Sequence, residues 1–285
     1  MDRRIIELYD EYTHAPLPRR VFLERLAALT GSVAAASALL PLLDNNYAKA
    51  AVVAADDPRI DTSMVTYPGK PGAVKAYLAR PKGSDKRAGV LLIHENRGLS
   101  PYNRDVARRI AVAGYVAFAP DLLASLGGTP EDEDKARELY TKLNREEAIA
   151  NMHSALAYLK ARPDATGKIG VIGFCSGGTY TKLIAATDRD VTAAVPFYGA
   201  APPADVAKNT KAKILAHYAG NDDRVNSTMP GYEAALKDAS VPYTAYTYPG
   251  TEHAFHNDTG GARYNKEAAE LAWGRTVAFF KETLG

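Results

Sequence analysis

Four short stretches carry the residues with chemical capacity: His94-Glu95-Asn96-Arg97-Gly98, Gly173-Phe174-Cys175-Ser176-Gly177-Gly178, Gly220-Asn221-Asp222-Asp223-Arg224-Val225 and Glu252-His253-Ala254-Phe255-His256. Cys175 is the one cysteine of the chain, so no intramolecular disulfide is open to it. It is therefore either a reactive thiol or a small buried hydrophobe. Its surroundings favour reaction. The run Ile169-Gly170-Val171-Ile172 before it and the helix-compatible stretch from Thr179 after it predict strand, sharp turn and helix. Such a nucleophile elbow strains its central residue and needs small residues two positions before and two after it. Cys175 has Gly173 and Gly177 there, whereas Ser176 has the bulky Phe174 two before it. Sterics choose Cys175 as the nucleophile and leave Ser176 as the rival.

A thiol nucleophile needs a base, and the base needs an orienting carboxylate. Asp222 and His253 each sit in a loop after a predicted strand, and the chain order is nucleophile, acid, base. Taken singly, a loop aspartate caps its own turn and a lone histidine is structural. Together with the elbow they read as a triad that puts His253 within hydrogen-bond reach of the Cys175 sulfur, with Asp223 and His256 as fallback positions. Glu95 ends the apolar run Ala88 to Ile93. A carboxylate beside a sulfur disfavours the thiolate, which keeps a resting Cys175 protonated until substrate displaces or neutralises Glu95.

These residues need a frame that brings them to one rim. The turn-rich joint Asp56-Asp57-Pro58 opens a β-hairpin, Val65 to Tyr67 and Ala73 to Ala79 around a Pro/Gly loop. Buried strands follow at Ala88 to Ile93 and Tyr115 to Ala119, then Ile169 to Ile172, Val191 to Val195, Ile214 to Tyr218 and Tyr243 to Tyr248. Between them lie helices over Asn103 to Ala113, one long helix ending near Arg162-Pro163, a helix around Tyr232 to Lys237, and a last helix from Lys266 to Leu284. In the long helix Leu139, Leu143, Ala148, Met152, Ala155 and Leu159 recur at helical spacing, which marks core, and Trp273 of the last helix is core as well. Strands alternating with helices predict an α/β, doubly wound, mostly parallel sheet with an N-terminal antiparallel hairpin at one edge. In such sheets the chemistry lies outside the carboxyl ends of the strands, and those ends carry Glu95, Cys175, Asp222 and, a few residues on, His253.

Gly173-x-Cys175-x-Gly177-Gly178, His94-Glu95-x-x-Gly98, Gly220-x-Asp222-x-x-Val225 and His253-Ala254-Phe255 resemble the dienelactone hydrolase (carboxymethylenebutenolidase) family over roughly residues 60 to 285. The resemblance implies an α/β-hydrolase fold and a hydrolase of small esters or lactones working without metal or cofactor. It implies Cys175 as nucleophile, His253 as base and acid, Asp222 as orienting carboxylate, and Glu95 as the partner of the resting thiol. It implies an oxyanion hole from the backbone N–H groups of Asn96 and Ser176, where one donor is worth about 3 kcal/mol in the transition state. The sequence departs from the pattern at Asn257, where the family has an arginine that grips a substrate carboxylate. Arg97, Tyr140, Tyr198 and Arg263 are the remaining candidates for substrate contact, with Arg137 nearby.

At 285 residues the chain has room for one sizeable domain, and its 24% charged and 46% apolar content is that of a soluble globular protein. A formal net charge of +2 gives no case for a nucleic-acid or membrane partner. Residues 57–285 form the catalytic domain. Residues 1–56 stand apart as a helical arm or an export-signal-like segment. Arg19-Arg20, an Ala/Leu-rich run to Leu43 and Ala48-Lys49-Ala50 look like a twin-arginine signal directed to the periplasm. Acids matching bases before the apolar run, and Glu24 where such signals favour lysine, favour a retained arm in a cytoplasmic protein, able to mediate homo-oligomer contacts. The function expected is a cysteine hydrolase; the alternatives are a serine esterase using Ser176 and a non-catalytic binding protein of the same fold.

Overall fold

The computed structural model describes residues 1–15, 17–47 and 52–285. One sheet is built from β1 (Ile60–Pro68), β2 (Ala73–Pro81), β3 (Arg87–Ile93), β4 (Val116–Pro120), β5 (Ala165–Phe174), β6 (Val191–Phe197), β7 (Lys213–Ala219) and β8 (Tyr243–Tyr248), in the order β1-β2-β4-β3-β5-β6-β7-β8. Strands β3 to β8 run parallel, while β2 is antiparallel to both of its neighbours. The expected edge hairpin is thus present, and it pairs Pro68 with Ala73 across the Pro/Gly turn.

Three helices precede the sheet: α1 (Arg3–His14), α2 (Arg19–Thr30) and α3 (Val33–Leu43). Within and after the sheet come α4 (Pro101–Val112), α5 (Glu133–Thr141), α6 (Arg145–Lys160), α7 (Ser176–Thr187), α8 (Ala204–Ala207), α9 (Asp223–Asn226), α10 (Met229–Asp238) and α11 (Lys266–Leu284). Both sheet faces are covered, because side chains alternate between them along each strand. In β3, Val90 and Leu92 pack with Tyr102, Val106 and Ile110 of α4 and Phe280 of α11. Leu91 and Ile93 pack on the other face with Met152 of α6, Ile184 of α7 and Leu236 of α10. Trp273 is half-buried against the first of these cores.

The single long helix expected before Arg162 is two helices. Asn144 breaks it: its side chain accepts hydrogen bonds from the N–H groups of Glu146 and Glu147, and such a cap starts a new helix rather than continuing the old one. Ala148, Met152, Ala155 and Leu159 are buried on α6, whereas Leu139 and Leu143 are only half-buried.

The segment before the sheet is helical and has its own small apolar core, made by Tyr9, Tyr12, Phe22, Leu26 and Leu43 among others. Helix α1 buries Ile5, Ile6, Leu8, Tyr9 and Tyr12, one stripe of an amphipathic helix. Helix α2 ends at Gly31, whose φ of 82° is the left-handed terminating conformation glycine adopts freely. The stretch that reads as an apolar signal run is split between α2 and α3, which are bent by 111° to each other. No single helix among the described residues is long and apolar enough to cross a membrane. The Ala48-Lys49-Ala50 triplet lies outside the described residues.

Candidate active site

Cys175 joins β5 to α7 with φ 55° and ψ −119°, a conformation L-residues rarely take. The elbow is as tight as the glycines imply. A Cβ on Gly173 would run into the carbonyl of Gly177, and one on Gly177 into the carbonyl of Ile93. Both obstacles are backbone and cannot swing aside. Gly177→Ala is therefore expected to cost about 3 kcal/mol as an overpacked site. For a chain of this size that lowers Tm by roughly 6 °C or more in a thermal melt. An unchanged Tm would mean the elbow has slack that the structure denies.

Asp222 follows β7 and heads α9, where one carboxylate oxygen accepts from the N–H of Val225 at 3.2 Å. Its other oxygen lies 2.5 Å from Nδ1 of His253, in the loop after β8. Burial works to raise the Asp222 carboxyl, but the imidazole beside it outweighs burial and holds it below the usual carboxylate range. His253 is buried against the ring of Tyr198, centroid to centroid 5.0 Å, and Tyr198 follows β6 with a left-handed φ of 34°. The Nε2 of His253 is buried without a hydrogen-bond partner.

The sulfur makes a hydrogen bond, but not to His253. Nε2 of His14, the last residue of α1, lies 3.1 Å from Cys175 Sγ. Nδ1 of His14 is 2.8 Å from the carbonyl oxygen of Asp10 and 3.1 Å from its carboxylate. One nitrogen from each imidazole and the sulfur all lie within 4.8 Å of one another. The sequence reading missed His14 because it is 161 residues from Cys175 and sits in no motif; only the docking of α1 brings it there.

Glu95, just past β3, is buried and accepts from Asn257 Nδ2 at 3.3 Å. Asn257, standing where the resemblance leads one to expect arginine, thus holds the glutamate. Burial pushes the Glu95 carboxyl up, against the pull of Arg97 and Arg263. The sequence reading makes Glu95 the partner of the resting thiol; in the structure the hydrogen-bonding partner of the sulfur is His14. Asn96 donates from Nδ2 to the carbonyl of Thr13 at 2.6 Å. Ser176 is the first residue of α7, where N–H groups have no intrahelical acceptor, and its Oγ is buried without a partner.

The three arginines among the candidates for substrate contact are engaged with α1 as well. Arg97 donates to the Tyr9 hydroxyl at 3.0 Å and pairs with Glu133 at 2.8 Å, while the Arg263 guanidinium lies 4.8 Å above the Tyr9 ring. Arg137 donates to the Tyr12 carbonyl at 2.9 Å. Tyr140 is half-buried, its ring 6.4 Å from His94. Of the fallback positions, Asp223 opens α9, and His256 is core: its Nδ1 is 2.7 Å from the Tyr102 hydroxyl, and burial drives its pKa well below normal.

Helix α1 thus covers the elbow, and Cys175 is only 6% exposed. Tyr9→Ala removes the hydrogen bonds with Arg97 and Asp44, the cation–π contacts of Arg97 and Arg263, and a fully buried ring packed on Tyr12 and Phe22, together about 3 kcal/mol or more. It is expected to speed iodoacetamide labelling of Cys175 by about tenfold or more, read by intact mass against time. Equal rates would mean that the thiol is reached without loosening this contact.

Profile comparison matches residues 74–284 to the dienelactone hydrolase family. A protein of Methylorubrum extorquens, provisionally named a carboxymethylenebutenolidase, is 30% identical over 245 residues, covering 81% of this chain and 84% of its own. A protein of Aquifex pyrophilus named Usf is 35% identical over 231 residues, 78% of this chain and 98% of its own. Among solved structures, one from Klebsiella pneumoniae, provisionally described as a dienelactone hydrolase, superposes with a TM-score of 0.71 at 29% identity, over 78% of this chain and 99% of that one. The chain belongs to the dienelactone hydrolase family, and it is a hydrolase acting on esters or lactones.

Proposed function

We propose that the protein cleaves a small ester or lactone through an acyl-thioenzyme on Cys175, with residues 57–285 as the catalytic domain and residues 1–56 as an arm that covers it. The observation that carries this reading is the strained thiol at the elbow beside an imidazole already locked to a carboxylate, His253 to Asp222 at 2.5 Å. With Nδ1 of His253 committed as donor to Asp222, its Nε2 presents a lone pair. That lone pair takes the Cys175 proton, and the thiolate attacks the substrate carbonyl. The backbone N–H groups of Asn96 and Ser176 hold the developing oxyanion. His253 returns the proton to the leaving alkoxide; in a lactone this oxygen stays tethered to the acyl group. Water, deprotonated by His253, then attacks the thioester, and the acid leaves with the thiol reprotonated.

Arg97 and Arg263 flank the slot that Tyr9 fills, so withdrawal of α1 exposes two cations suited to an acidic substrate such as a dienelactone. The test is selective inactivation. Iodoacetamide is expected to abolish turnover, while a serine-directed phosphonate leaves it intact. The reverse pattern moves the nucleophile to Ser176.

A further inference from the structure

The arm brings a third donor to the thiol, and the arrangement that results is that of a soft-metal site. His14 and His253 approach Cys175 from opposite parts of the chain, and each has its Nδ1 held: His14 by the main-chain carbonyl of Asp10 at 2.8 Å, with the Asp10 carboxylate 3.1 Å away, and His253 by the Asp222 carboxylate. Committing both Nδ1 atoms as donors leaves both Nε2 atoms with lone pairs when the rings are neutral. Two lone pairs then face one sulfur, whose single proton can satisfy only one of them. His14 takes that contact at 3.1 Å, and His253 Nε2 is left buried and unpartnered, with His253 5% exposed. A buried acceptor without a donor is costly unless something positive joins it.

We propose that Cys175 Sγ, His14 Nε2 and His253 Nε2 bind one Zn²⁺ ion, clamping the arm over the nucleophile. One donor atom from each residue already lies within 4.8 Å of the others, so closing on an ion asks for small shifts. Thiolate and imidazole together select zinc over magnesium or calcium, which prefer oxygen. The Asp10 main-chain carbonyl and the Asp222 carboxylate are the outer acceptors that orient zinc-bound histidines and make them better donors. Charge fits as well. Asp10, Asp222 and the thiolate are negative, and Arg224 beside both aspartate–histidine pairs is positive, so the cluster carries the two negative charges a divalent cation balances. A cavity of about 270 Å³, lined by Glu7, Asp10, Glu11, His14, Ala15 and Arg224, gives an acidic approach to the site. Binding releases the thiol proton to solvent and changes no oxidation state. It occupies the sulfur and the His253 lone pair at once, so the bound ion holds the protein in a closed, inactive form that a chelator reopens.

The site needs only the three donors, so it can be tested apart from turnover. The full-length chain, stripped with EDTA, is titrated with Co²⁺ as a spectroscopic substitute for Zn²⁺. One equivalent is expected to bind with a thiolate-to-cobalt charge-transfer band, bleached by Zn²⁺ and untouched by Mg²⁺. Cys175→Ala is expected to lose the band, and His14→Ala to weaken binding by about 100-fold or more. A wild-type chain with no such band at saturating Co²⁺ overturns the site, and so does undiminished affinity in folded His14→Ala protein. Loss of hydrolysis in every preparation, with the band intact, would instead fault the catalytic reading.

Discussion

Replacing Cys175 with alanine is expected to lower kcat by about 10⁴-fold or more on any ester the enzyme turns over, with the fold intact. Alanine removes only the sulfur, so it fits a position where φ is 55° and neighbouring backbone leaves little room. What remains after the substitution is whatever the oxyanion N–H groups and substrate binding contribute over water. Purified variant protein with a wild-type melting curve and no turnover is the expected pair of measurements. Turnover near the wild-type rate would remove Cys175 from the mechanism and bring Ser176 forward.

Asp222→Asn is expected to cost nearly as much, about 10⁴-fold in kcat, for a different reason. The asparagine oxygen can still accept from Val225 N–H, so α9 keeps its start. Its amide nitrogen, however, faces His253 Nδ1 as a donor. Nδ1 must then accept, the ring proton moves to Nε2, and Nε2 no longer takes a proton from the thiol. Steady-state rates at neutral pH check this, with His253→Ala as the companion that removes the ring altogether. If Asp222→Asn is active and Asp223→Asn is not, the orienting carboxylate has been placed one residue too early.

Much of the frame was legible because its signals are local. Val90, Leu91, Leu92 and Ile93 form an uninterrupted apolar run, as a strand buried on both faces requires, and they do alternate between two helical layers. The glycines around Cys175 announced a turn tight enough to exclude any Cβ, and backbone carbonyls do stand where those Cβ atoms would go. The break between α5 and α6 was harder to see, since hydrophobic spacing continues across it and a single capping side chain, Asn144, decides it. The arm's position was not readable at all. Nothing in Tyr9, Tyr12 or His14 indicates a destination, because docking depends on complementarity with Arg97, Arg137, Arg263 and the thiol, which converge only after the sheet has formed. For the same reason three donors at positions 14, 175 and 253 escape every rule based on ligand spacing.

The proposed mechanism calls for a second state, with helix α1 withdrawn, to be distinguished from this one in any assay. With the arm down, His14 holds the sulfur, Thr13 holds the Asn96 side chain, and Tyr9 fills the space between two arginines. On the proposed mechanism, substrate reaches the sulfur once helix α1 gives way, so the rate of arm opening enters kcat/KM together with the chemistry.

The most direct measurement is to mix enzyme with an activated ester, quench within the first turnover, and map the acyl group by peptide mass spectrometry. The account predicts an adduct on Cys175 that disappears as product forms and is absent from Cys175→Ala. An adduct on Ser176, or continued turnover by an enzyme whose Cys175 stays unmodified throughout, would contradict it.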